Sequence, residues 1–148
     1  MPATVRHALA ADVERIQQIA GESSSAAQWS EKQYERLFAE HSGLHIVLVL
    51  EKDHQVQGFI VARLAGDQWE IENIAVARAL QRRGLASQLL CEFLVHARQS
   101  GKAVFLEVRE SNLAARKLYE KMGFVQAGRR KGYYRSPPED ALILELSF

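Results

Sequence analysis

Apolar residues recur along the chain in two periods, near 3.6 and near 2, and the way these alternate sets the order of elements. Val13, Ile16, Ile19 and Ala20 return at helical spacing, with Asp12 placed to cap the helix they mark. The stretch 22–27, which holds three consecutive serines, reads as a loop. Ser30 and Gln33 have the spacing of a capping box, and Tyr34, Leu37, Phe38 and His41 trace one face of a second helix. Leu85, Leu89, Phe93 and Ala97 form a third stripe, on a longer helix expected to stop at Gly101. Asn112 then stands as a cap before Ala115, Leu118, Tyr119 and Met122, at i, i+3, i+4 and i+7, with Gly123 as the stop.

The remaining segments carry strand signals. Thr4 to Leu9 forms a first strand. A nearly continuous apolar run from His45 to Glu51 is followed by a polar turn at Asp53-His54, a run from Val56 to Ala65, a turn at Gly66-Asp67 and a run from Trp69 to Val76. In 104–109, Val104, Leu106 and Val108 alternate with Phe105, Glu107 and Arg109. A strand, a helix and another strand in succession imply parallel neighbours joined by a right-handed crossover. Residues 124–130 and 141–148 are expected to close the sheet as an antiparallel pair. The fold class is therefore α+β: a mixed, mostly antiparallel central sheet with a parallel βαβ core and flanking helices, in one domain spanning 1–148.

Composition narrows the function classes. Nineteen Lys and Arg against eighteen Asp and Glu leave a net charge of +1, which gives no general attraction to nucleic acid or membranes. Any basic site must be local. A single cysteine, Cys91, excludes an internal disulfide, and its neighbours Leu89, Leu90, Phe93 and Leu94 suggest a small buried thiol. No segment approaches the roughly 20 apolar residues of a membrane span, and the first residues do not read as a signal peptide, so a cytoplasmic protein is expected. Five histidines lie scattered without metal-ligand spacing, and no metal is expected.

Candidate chemistry gathers at three places. Gln81-Arg82-Arg83-Gly84-Leu85-Ala86 is a basic, glycine-containing turn that opens a helix, where unpaired N–H groups and the helix dipole suit a polyanion. It lacks the Gly-Lys-Ser/Thr ending of a nucleoside-triphosphate loop. Glu107 is a carboxylate inside an apolar strand, which must face water, a cation or a site; a proton acceptor and a plain ion-pair partner are both open. Arg129, Arg130, Lys131 and Arg135 cluster about Tyr133 and Tyr134, as a peptide groove, a solvated turn or, more weakly, an RNA contact.

The basic loop, together with Ser111-Asn112 and then Ala115, Leu118, Tyr119, Gly123 and Phe124, resembles the GNAT superfamily of acetyl-CoA-dependent N-acetyltransferases. Trp29-Ser30-Glu31-Lys32, Leu106-Glu107-Val108-Arg109 and Arg130-Lys131-Gly132-Tyr133-Tyr134 leading to Glu139-Asp140-Ala141-Leu142 are similar to the RimI-type ribosomal-protein alanine N-acetyltransferases. The resemblance implies the GNAT fold and transfer of acetyl from acetyl-CoA to a protein N-terminal α-amine, that of a ribosomal protein's alanine. It implies Glu107 as general base and Tyr119 as general acid, with neither metal nor covalent intermediate. It implies that Ile74, Ala75 and Val76 hold the pantetheine arm, that Arg82, Arg83, Gly84, Leu85, Ala86 and Ser87 cradle the pyrophosphate, and that Asn112 adds a cofactor contact to its capping role. Ala86 stands where many relatives carry Gly. Glu70 and Glu72 rival Glu107 as base, Tyr119 could be only a core aromatic, and Trp29 lies near the acceptor loop. Acetylation of a lysine or small amine, and a non-catalytic acyl-CoA-binding module, are the alternatives. Oligomeric state is left open.

Overall fold

A computed structural model describes residues 2–23, 26–39 and 44–148. In chain order the elements are β1 (Thr4–His7), α1 (Val13–Glu22), α2 (Glu31–Ala39), β2 (His45–Lys52), β3 (Gln55–Ala65), β4 (Gln68–Val76), α3 (Leu85–Ala97), β5 (Ala103–Arg109), α4 (Leu113–Lys121), β6 (Val125–Arg135) and β7 (Pro138–Ser147). Seven strands form one sheet in the order β1-β2-β3-β4-β5-β7-β6. Every neighbouring pair is antiparallel except β4 and β5, the two strands joined through α3. The expected mixed sheet with a parallel βαβ core is present, and the final hairpin closes it with β7 inserted between β5 and β6.

Two apolar layers sandwich the sheet. Leu85, Leu89, Phe93 and Ala97 of α3 and Tyr119 of α4 pack on one face, over Leu48, Ile60, Trp69 and Leu106. Ile16 and Ile19 of α1 and Tyr34 of α2 pack on the other, over Val49, Phe59 and Val61. Alternation along β2 and β3 feeds both layers, which is why those strands read as nearly continuous apolar runs.

Four local expectations need correcting. Cys91 is exposed: two residues beyond Leu89 it lies about 200° around the helix, away from the buried stripe. Helix α3 ends at Ala97 and not at Gly101. Gly101 is required for a different reason, since a Cβ there would sit 2.7 Å from Cδ1 of the buried Trp69. Asp12 occupies the N-cap position of α1 but its side chain makes no capping bond there; its carboxylate accepts from the Leu9 N–H at 2.7 Å and from Arg6 at 2.9 Å. Helix α1 runs on to Glu22, the first residue of the expected loop. The capping box at Ser30 and Gln33 forms in both directions. His41, Ser24 and Ser25 lie outside the described residues. Among the described residues no helix is long and apolar enough to cross a membrane.

The feature that creates the site is a fork in the sheet. β4 and β5 pair only over Gln68–Glu70 and Ala103–Phe105. Beyond Phe105, β5 continues with β7, from Leu106 opposite Leu144 to Arg109 opposite Ala141, while β4 stays with β3. The register between β3 and β4 steps where Val61 opposes Asn73 and Ala62 opposes Ile71, so Glu72 is the extra residue of a bulge. A bulge bends its strand and inverts the side-chain alternation. Trp69 and Ile71 accordingly pack beneath α3, whereas Ala75 and Ala77 pack beneath α1 and α2.

Candidate active site

Two clefts open at the fork, one of about 600 Å³ and one of about 560 Å³. Ile74, Asn112, Ala115 and Tyr119 line both, so the two meet at that point. One reaches toward the start of α3 and the other toward the β6–β7 hairpin and the segment before α2.

The cleft toward α3 joins a strand edge to a helix start, two places where backbone groups are left unpaired. Gly84 is the N-cap residue of α3 with φ of 77°, the left-handed region that favours glycine, and no side chain caps the helix. The first-turn N–H groups are left to a ligand or water. Arg82 also has a positive φ, 66°, which costs a non-glycine residue about 1 kcal/mol. Gln81 ties the turn back to β4 through Nε2 and the Val76 carbonyl at 3.2 Å. A turn held in this shape at a helix start is suited to an anion. Its wall includes Ile74, Ala75 and Val76, then Arg82, Gly84, Leu85, Ala86 and Ser87, and Asn112 across the gap. Arg83 is exposed and does not line it. Asn112 accepts from the Ala115 N–H at 3.2 Å and so caps α4 as expected. Arg78 closes the rim, with its N–H on the Glu22 carboxylate and its guanidinium on the Glu22 carbonyl, both at 3.0 Å. The sequence reading did not single out Arg78 or Glu22, which are 56 residues apart.

The other cleft is built from side chains. Glu70, Glu72 and Glu107 all line it, on the two arms of the fork. Glu107 Oε1 accepts from Arg130 Nη1 at 2.9 Å, and this bond raises the Arg130 pKa further above its ordinary value. The Arg130 guanidinium lies 4.0 Å from the centre of the Tyr133 ring. Arg109 lies 4.0 Å over Tyr134 and 3.3 Å from Glu139. Glu139 also accepts from the Ser111 N–H. Contacts with Ser111 and then Arg109 hold the Glu139 carboxyl below its usual range. Asp140 accepts from the Gly132 N–H and from Arg129, each at 2.8 Å, and the Gly132 bond leads in holding its carboxyl low. Two of the four cations read as a basic cluster, Arg129 and Arg130, are thus matched by Glu110, Asp140 and Glu107. Glu72, the bulge residue, lies 3.9 Å from Arg63 and 3.7 Å from His45.

Tyr119 stands where the clefts meet. Its phenol is buried, and burial pushes its pKa above the ordinary value, so it stays protonated through neutral and moderately alkaline conditions. The ring meets Phe124 edge to face at 5.5 Å.

Sequence reasoning missed Asn73, which lines the side-chain cleft and is 5% exposed. A signal was available: an amide inside a strand of Trp, Ile, Ala and Val is unfavourable unless both its polar atoms find partners. The partner is Ala27, which donates its N–H to Oδ1 at 3.2 Å and accepts from Nδ2 at 2.9 Å. Ala26, Ala27 and Trp29 complete that wall.

The model of the acetyltransferase (GNAT) family matches residues 11–124. The [ribosomal protein bS18]-alanine N-acetyltransferase of Salmonella typhimurium is 38% identical over 125 residues, 82% of either chain. The crystal structure of the ribosomal-protein-S18-alanine N-acetyltransferase from Escherichia coli superposes with a TM-score of 0.87 at 29% identity, covering 99% of this chain and 94% of that one. At 20% identity, yncA from Salmonella typhimurium, a structure with its cofactor acetyl-CoA, shares the fold with a TM-score of 0.85 over 99% of this chain and 94% of the other.

Proposed function

The chain belongs to the acetyltransferase (GNAT) family, and on that premise we propose that it moves acetyl from acetyl-CoA to the N-terminal α-amine of a protein, that of a ribosomal protein's alanine. The observation that carries the reading is the meeting of two unlike clefts at Tyr119, one ending at an uncapped helix start and the other at Glu107. Similarity to the bS18-alanine N-acetyltransferases supports the choice of acceptor.

The residues of the first cleft fit acetyl-CoA. The first-turn N–H groups of α3 and Arg82 would hold the pyrophosphate, and among the described residues, chain neighbours and the helix's own backbone apart, none comes within 4 Å of the space beside Gly84 that a Cβ would fill. The edge of β4 from Ile74 to Val76, without a ladder partner on the β5 side, would take the pantetheine amides. Asn112 already uses its oxygen as a cap, so its amide nitrogen would make the cofactor contact.

On the other side an α-amine with a pKa near 8 arrives mostly as ammonium at neutral pH. Glu107, directly or through one water, takes its proton. The amine then attacks the thioester carbonyl; a C–N bond forms, the C–S bond breaks, and the nitrogen's second proton leaves to water, from which Tyr119 recovers the proton it gives up. Tyr119 donates to the departing sulfur. Burial makes Tyr119 a weaker acid than a free phenol, but the same dry surroundings raise the proton affinity of a thiolate, so the proton moves late, as the sulfur leaves.

A thiol-release assay with acetyl-CoA tests this reading. Peptides with a free N-terminal Ala, Ser or Met are compared with peptides blocked at that amine but containing Lys. Turnover confined to free N-termini, strongest on alanine, is expected. Turnover on the blocked lysine peptides alone would reject the acceptor assignment while keeping acetyl transfer.

A further inference from the structure

We propose that Asn73 is a positioning residue that sets affinity for the acceptor by pinning the segment 26–29 to β4 as a wall of the side-chain cleft. The inference rests on the reading of that cleft as the acceptor side. Asn73 is the one buried residue among those described that is polar and not aromatic. The bulge at Glu72 turns it toward the α1 and α2 face, where the Tyr34 side chain is a neighbour. Both ends of its amide bond the backbone of Ala27, 46 residues away, as a neighbouring strand would. The segment is also stitched by Gln28, whose Nε2 donates to the Ala20 carbonyl at 2.6 Å and to the Ser23 carbonyl at 3.4 Å, and Trp29 leans on Tyr34 with ring centres 5.5 Å apart.

The wall belongs to one cleft only. Ala26, Ala27 and Trp29 line the acceptor cleft and none of them lines the cofactor cleft. Tyr133 and Tyr134 of β6 line the acceptor cleft as well, so a peptide entering it meets an ordered wall on the 26–29 segment without having to order that segment itself. Released from Asn73, the segment becomes one more piece of chain that the acceptor must fix on binding. Glu107 and Tyr119 stand on other elements and keep their places.

Asn73→Asp tests this with a side chain of the same shape. It keeps an oxygen for the Ala27 N–H and sets a second oxygen against the Ala27 carbonyl. Ala27→Pro tests it from the loop side, deleting that N–H and leaving β4 unchanged. Both variants are assayed with whichever amine the parent acetylates, so failure of the alanine assignment is seen first and separately. The expected result is an acceptor KM raised about tenfold, kcat within about twofold of the parent and acetyl-CoA Kd unchanged by calorimetry. An unchanged acceptor KM in a folded variant overturns the proposal. So does a loss of acetyl-CoA affinity or kcat in step with the rise in acceptor KM, which marks general damage. If Asn73→Asp does not fold, Ala27→Pro alone decides by the same three readouts.

Discussion

The two clefts are almost equal in size, about 560 and 600 Å³, yet they are made in opposite ways. The one toward α3 consists mostly of a strand edge and a helix start, supplied by two stretches close in sequence and closed by Asn112. The other consists of side chains on the 26–29 segment, β4, β5 and β6, each held by partners far away in the chain. A site built from backbone tolerates change in its side chains and depends on conformation. A site built from side chains depends on matched pairs, and losing one partner leaves the other uncompensated. The first arrangement suits a donor bound in one fixed way, the second an acceptor that must be chosen.

If the clefts are separable, the largest effect belongs to Glu107. Glu107→Gln should lower kcat by about 10²- to 10⁴-fold and leave acetyl-CoA Kd unchanged in calorimetry; loss of cofactor affinity with normal turnover would break the separation. Arg130→Met is its companion, because Glu107 is also the partner of Arg130. Were Glu107 merely that partner, the two variants would lose activity equally. As a base, Glu107 should be far the more costly to replace.

Tyr119, shared by both clefts, comes next. Removing a hydrogen bond to a charged group corresponds to about a tenfold to hundredfold loss, which Tyr119→Phe should show in kcat. The raised phenol pKa fixes the sign with pH. The protonated form and the stability it brings are fully present below the ordinary value near 10 and fade only as pH rises toward the shifted one. A rate profile from pH 6 to 10 should therefore carry no alkaline fall due to Tyr119, and a fall that vanishes in Tyr119→Phe would contradict that.

The same contrast decides what was legible in the sequence. Gln81 to Ala86 and Asn112 were readable because turn, glycine and helix start are neighbours, and local chemistry names the geometry. The strand order of the βαβ core was readable from period alone. The pairing of Glu107 with Arg130, 23 residues apart, and of Asn73 with Ala27, 46 apart, was not. Both depend on how a forked sheet brings segments together. The bulge at Glu72 was hidden as well, because an extra residue in β4 is defined only against its partner β3. The exposure of Cys91 is legible from helical angle, because it lies about 200° from Leu89 on the wheel despite its apolar neighbours in sequence.

On the backbone side, Gly84→Ala sharpens the comparison. An alanine in the left-handed region costs about 1–2 kcal/mol, enough to distort the start of α3 and raise acetyl-CoA Kd by about five- to tenfold. Acceptor KM should not move. A rise in acceptor KM with unchanged cofactor affinity would show that the helix start serves the other cleft.

The smallest effect tests how much an exposed ion pair matters to the side-chain cleft. Asp140 holds the Gly132 N–H and Arg129, and its carboxyl sits below its ordinary pKa. A depressed carboxyl contributes stability that is present above the unfolded value near 3.9 and lost as pH falls through the lower, folded one. Thermal midpoints of the parent should thus drop as pH is taken from about 5 to below the ordinary carboxylate range. Asp140→Asn should drop less, because one of the linked groups is gone. At neutral pH its acceptor KM should rise by no more than about twofold, since solvent screens an exposed pair, and acetyl-CoA Kd should stay put. An effect on KM as large as that of Asn73→Asp would mean that the hairpin, and not the 26–29 segment, is the wall that orders the acceptor.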